Sequence, residues 1–216
     1  MSNIKTIFVA FASALLAGCS LGSDNHDQPS NDGSRASQPD AQHEFVEKVN
    51  GYLANAKRSG ATSEQIAILE QAEASAEVSI EDYEASVDAT LDCLHESGAD
   101  ALDNGMIESE GLSIRQYGVP VSAEESHPRA IGDGVTIHRC VAEHSYWIEI
   151  AYQLQPSSRE VRQEYREGFR EELLECYSSR GFEVDEHGDI TELMELGMYA
   201  YESDTIDANC LAEIGY

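Results

Sequence analysis

Cysteines, histidines and closely spaced carboxylates are the side chains of this 216-residue chain that could do chemistry, and their spacing limits what that chemistry is. His138, Cys140 and His144 crowd one segment and offer the nitrogen and sulfur donors that zinc prefers. On a helix, however, two histidines six positions apart face different sides, and Cys140 has a competing use in a disulfide. The run from Glu183 to Glu195 invites a calcium-loop reading through Asp185, Gly188 and Ile190. With Gly188 at the sixth loop position, the fifth is His187 and the twelfth Met194, where a carboxylate and a bidentate glutamate are required, so a plain hairpin turn is expected there. No nucleophile elbow, phosphate-binding loop, zinc-protease helix or dinucleotide fingerprint occurs in the sequence. No catalytic residue, metal or cofactor is therefore assigned. Since any two of 41 acidic residues could meet in space, an exported hydrolase with an unrecognised active site stands as the alternative to a non-catalytic protein.

The candidate binding surface is the polar loop from Ser122 to Gly134, which is longer than the connection between two elements requires. It carries His127, Arg129 and Asp133, and convergence of these with Tyr117 and Trp147 would make a pocket for a small ligand. A flat apolar patch would instead suit a partner protein. A decorated surface loop accounts for the segment equally well.

The first eighteen residues have the three parts of an export signal: Lys5 as the only charge, an apolar run from Ile7 to Ala17, and small residues at the end. The run is shorter than the roughly 20 apolar residues that span a bilayer. Leu16-Ala17-Gly18-Cys19 resembles the lipobox, in which the cysteine sulfur is diacylated and the chain is cut ahead of it. Two acyl chains bury enough methylenes, at about 0.8 kcal/mol each, for stable anchoring. Such processing leaves 12 basic against 41 acidic residues, because only Lys5 is removed, and takes the formal charge from −28 to −29. A chain of that charge, with no basic cluster, is repelled by nucleic acid, whose binding rests on Lys and Arg replacing counterions.

Residues 20–40 hold almost no apolar side chains and are expected to form a disordered tether. From Ala41 a helical stripe runs through Phe45, Val49, Leu53 and Ala56 to Gly60. Thr62 with Gln65, and Ser79 with Asp82, have the spacing of helix caps; the second and third helices bury Ile66, Leu69 and Ala72, then Tyr83, Val87, Leu91 and Leu94. Leu112 to Val121 alternates as a strand, with Pro120 pushing it toward an edge or an end. One helix is expected from about Val135 to Pro156, another from Ser157 to Gly181, a short hairpin from Phe182 to Ile190, and a final helix carrying Cys210.

Two ordered stretches repeat. Leu91-Asp92-Cys93, with Gly98 five residues past the cysteine, matches Leu174-Glu175-Cys176 with Gly181; Cys140-Val-Ala-Glu143 matches Cys210-Leu-Ala-Glu213, with Tyr146 and Tyr216 six residues past each cysteine. Each copy reads as one supersecondary unit with two cysteines. Four cysteines allow three pairings, and the duplication selects Cys93 with Cys140 and Cys176 with Cys210. Closing loops of this size contributes roughly 3 to 4.5 kcal/mol each on the chain-entropy model.

The stretch Gly60 to Glu70, the stretch Tyr83 to Cys93 and the later cysteine units resemble a group of exported bacterial lipoproteins of the actinobacterial type. That resemblance implies an address and no chemistry. The expected organisation is a signal peptide over 1–18, a lipidated tether over 19–40, N-terminal helices with a first cysteine unit over 41–156, and a second cysteine unit over 157–216. The expected fold class is α+β, mainly helical, with two disulfide-bonded helix-strand-helix units. The expected role is that of an extracytoplasmic lipoprotein, held to the membrane by a diacylglyceryl anchor, which binds an envelope protein or a small-molecule ligand.

Overall fold

The computed structural model describes residues 4–8, 38–122, 131–202 and 210–216. The chain is mainly helical α+β and divides into two compact units, one of residues 1–107 and 115–156, the other of Glu108–Ile114 with Ser157–Tyr216. Among the described residues no helix is long and apolar enough to cross a membrane.

In the first unit, α1 (Gln38–Ser59) begins three residues before the expected start, and Phe45, Val49, Leu53 and Ala56 are buried along one stripe. α2 (Ser63–Ser75) and α3 (Ile80–Glu96) begin where the cap spacing places them. Thr62 accepts from the Gln65 N–H at 3.3 Å, and Ser79 accepts from the Asp82 N–H at 3.0 Å. The α2 stripe differs by one residue from expectation: Gln65, not Ile66, is buried with Leu69 and Ala72.

The sheet has the order β1–β3–β2, with β1 Ile4–Phe8, β2 Leu102–Ser109 and β3 Leu112–Ser122. β1 lies antiparallel to β3, from Ile4 opposite Ser122 to Phe8 opposite Gly118, so the residues that read as an export signal hold the Pro120 side of the sheet. β2 has no counterpart in the sequence reading, because its charged and polar residues hide the alternation; its exposure pattern shows little burial on either face. Glu110 and Gly111 close the β2–β3 hairpin with φ of 50° and 75°, the paired left-handed conformations of a type I′ turn. A glutamate in that region costs of order 1 kcal/mol. Its side chain is held in return by Arg166 at 2.8 Å and by the Tyr216 hydroxyl, which donates to it.

The single helix expected from Val135 to Pro156 is two: α4 (Ile131–His144) and α5 (Tyr146–Leu154), broken at Ser145. In the second unit, the helix expected from Ser157 to Gly181 is likewise broken, at Gly168-Phe169, into α6 (Pro156–Glu167) and α7 (Arg170–Ser179). No strand forms between Phe182 and Ile190. The Gly188 N–H closes a turn on the Asp185 carbonyl at 3.0 Å, the Asp189 carboxylate accepts from the Thr191 N–H at 2.7 Å as a helix cap, and α8 (Ile190–Glu202) follows. The run is amphipathic at helical spacing, with Ile190, Leu193 and Met194 packed on Leu173, Tyr177 and Leu211; that spacing outweighs a hairpin. α9 (Cys210–Glu213) is the final helix.

Both disulfides join the cysteines that the duplication pairs: Cys93 with Cys140 at a Cα–Cα distance of 5.7 Å, and Cys176 with Cys210 at 5.9 Å. The repeated glycines end their helices identically. Gly98 N–H donates to His95 and Ala99 N–H to Leu94; Gly181 N–H donates to Ser178 and Phe182 N–H to Tyr177. These are two Schellman caps, each needing the left-handed φ of +82° that both glycines adopt.

Candidate functional site

The first unit concentrates its unusual polar residues where the N-terminus of α2, α3 and the α4–α5 break come together. A helix break leaves orphan carbonyls on one side and orphan N–H groups on the other. Here α2 satisfies them. The Gln65 side chain, 1 % exposed, donates to the Ala142 carbonyl at 3.1 Å and accepts from the Trp147 N–H at 3.0 Å. The Thr62 N–H donates to the Glu143 carbonyl at 2.8 Å.

Beside this clamp, α2, α3 and His144 line a cleft of about 270 Å³ that includes Ile68, Ala85 and Ala89. Its wall hydroxyls are already engaged, Ser86 with the Tyr83 carbonyl at 2.7 Å and Thr62 with the Gln65 N–H. The walls therefore present mainly aliphatic surface, with Glu64 and His144 also in the lining. Hydrogen bonds from its own backbone N–H and from Ser63 hold the Glu64 carboxyl below the ordinary carboxylate range, with His144 adding to the effect.

On the other side of the α4–α5 break lies a buried carboxyl. Glu149 is 8 % exposed and accepts from the hydroxyls of Ser145 and of Tyr117, the latter at 3.3 Å. Burial raises its pKa above the ordinary value, and the two hydroxyl donors oppose that shift only in part. Burial also pushes the nearby Tyr83 phenol up to about 12; its ring stacks on Tyr152 at 4.4 Å, and its hydroxyl accepts from the Arg115 N–H at 2.9 Å.

Among the described residues of the binding surface expected from the sequence, Tyr117, Trp147 and Asp133 have separate surroundings. Tyr117 is 3 % exposed and belongs to the core through Glu149. Trp147 stacks against Tyr52 at 5.8 Å, and its indole N–H donates to Ser59 at 3.4 Å. Two residues apart on α5, Trp147 and Glu149 face different sides, which separates Tyr117 from the indole. Asp133 lies in the first turn of α4; His127 and Arg129 lie outside the described residues. In the segment weighed as a calcium loop, the Asp185 carboxylate accepts from the His187 N–H at 2.9 Å and serves the turn.

The sequence gives Gln65 only as a cap partner and Glu143 only as part of the repeat, and it singles out Glu149 not at all. Gln65 was legible as the position four before Leu69 on the buried stripe. Cys140, Glu143 and His144 stand at i, i+3 and i+4, one helix face, which the His138 to His144 spacing does not share. Glu149 carries no such signal, because its burial depends on strand β3 arriving over α5.

The fold and this site define a mainly helical, disulfide-bonded α+β protein with an aliphatic cleft in its first unit. Compared with protein-family models, curated proteins and solved structures, the chain matches none of them.

Proposed function

We propose that the mature protein is an extracytoplasmic lipoprotein of the cell envelope, held to the membrane by a diacylglyceryl group on Cys19, and that its folded part binds a partner protein or small ligand rather than catalysing a reaction. The observation that carries this reading is the cysteine account. Four of the five cysteines pair within the two units, and the fifth stands in Leu16-Ala17-Gly18-Cys19, where lipid would use it. Disulfides also suit an oxidising compartment outside the cytoplasm. The resemblance to exported actinobacterial lipoproteins agrees with the same address. Processing ahead of Cys19 would remove Ile4–Phe8 from the sheet and leave β3 as the edge of a two-stranded hairpin, with Pro120 on that edge as a guard against further pairing.

The cleft supports binding, since its aliphatic lining suits an apolar group. Replacement of Cys19 by serine tests the anchor: the protein moves from the membrane to the soluble fraction, and unchanged fractionation refutes the lipid. The neutral apolar fluorophore N-phenyl-1-naphthylamine tests the cleft. Its emission brightens on the folded protein and that gain is lost when Ala89→Phe fills the space, whereas equal brightening by both proteins counts against a binding cleft.

A further inference from the structure

We propose that the first disulfide has a second, reduced state in which Cys93, Cys140, Glu143 and His144 hold a zinc ion. The Cys93 sulfur, a Glu143 carboxylate oxygen and a His144 ring nitrogen all lie within 4.8 Å of one another, and the Cys140 sulfur is bonded to the first of them. Three of the four ligands come from one face of α4 at i, i+3 and i+4, and the fourth from the end of α3. Two thiolates, an imidazole and a carboxylate form a donor set that tetrahedral zinc takes. Zinc with ordinary bond lengths sets its ligand atoms about 3 to 4 Å apart, so the site closes by side-chain rotations of about 1–2 Å in which the two sulfurs separate once their bond is reduced. Arg139 donates to one Glu143 oxygen at 3.0 Å and also to Ser97. It thereby orients the carboxylate and sets a positive charge beside a centre whose three anionic ligands leave it with a net charge of minus one.

The duplication supplies an internal control. Cys210 and Glu213 occupy the positions of Cys140 and Glu143, but Ile214 stands where His144 does, and Arg180 where Ser97 does. The Arg180 guanidinium lies 3.5 Å from the Cys210 sulfur and binds both oxygens of Glu213. The second copy thus has a cation where a metal would sit and no imidazole.

The reductant is a dithiol. Its thiolate attacks the half-buried Cys93 sulfur and expels the fully buried Cys140 thiolate; its second sulfur then closes a disulfide of its own and frees Cys93. Two electrons pass to the protein pair, and zinc displaces the two protons the thiols would otherwise carry.

The test uses the full chain carrying Cys19→Ser, reduced with a phosphine and titrated with cobalt(II) and then zinc. The reduced chain binds one cobalt ion with the spectrum of a tetrahedral thiolate site, zinc displaces it, and Cys93 and Cys140 become protected from alkylation while Cys176 and Cys210 do not. The oxidised chain gives no thiolate spectrum. His144→Ala weakens binding by at least about tenfold, the loss that even an outer partner of a ligand brings, while His138→Ala leaves it unchanged. A reduced chain that keeps its helical circular dichroism but binds no metal overturns the proposal. So does equal protection of both cysteine pairs, unaltered binding by His144→Ala, or a reduced chain that unfolds and does not regain helicity with zinc.

Discussion

The side chain of Gln65 and the backbone of Trp147, 82 positions apart, meet in a hydrogen bond of 3.0 Å that joins the first turn of α2 to the first turn of α5. The same amide reaches the Ala142 carbonyl at the end of α4. One buried side chain thus satisfies both sides of the break at Ser145. The break in turn lets α5 present Glu149 toward Tyr117 and Trp147 toward Tyr52.

Replacing Gln65 with alanine strands the half-buried Trp147 N–H and Ala142 carbonyl together. The expected cost lies in the lower half of the roughly 2–6 kcal/mol that two unsatisfied groups at about 1–3 each would bring, because neither is fully buried. Urea unfolding followed by Trp147 fluorescence reads the loss, and a change within about 0.5 kcal/mol would show that water serves the break as well as the amide does.

The raised pKa of Glu149 makes the first unit less stable as pH climbs. Because burial lifts the native value above the ordinary 4.5, the folded state holds the proton more tightly than the unfolded chain. The contribution is full below 4.5 and is lost as pH rises through the native pKa. Glu149→Gln keeps a carbonyl for the two hydroxyls to donate to and has no charge to bury. The variant's advantage over the parent in urea midpoint therefore grows with pH across that window, and a constant difference would contradict a buried charge.

Two glycine substitutions have opposite signs. A Cβ on Gly197 of α8 would fall 2.5 Å from the Tyr177 hydroxyl oxygen and 2.7 Å from Leu211 Cδ1. Gly197→Ala is therefore expected to cost about 1–3 kcal/mol through overpacking. Gly51, inside α1, has nothing within 4 Å of such a carbon, so Gly51→Ala should stabilise by roughly 0.5–1 kcal/mol through helix propensity. Thermal melts of the two variants separate packing from backbone entropy, and a shift of the same sign in both would refute the distinction.

The sequence by itself determined the helix starts at Thr62 and Ser79, the glycine stops at Gly98 and Gly181, and the pairing of four cysteines. These follow from contacts within a few residues or from a repeat that matches one copy to the other. Tertiary structure alone decided the breaks at Ser145 and Gly168, the α8 helix in place of a hairpin, and the removal of Tyr117 from any surface. Each depends on partners far along the chain. An apolar period through His144, Trp147 and Ala151 cannot show that Gln65 will pay the hydrogen bonds of a break between them. The gathering of Cys93, Cys140, Glu143 and His144 belongs to both levels, with the last three set on one face of α4 by local spacing and Cys93 brought by the packing of α3 on α4.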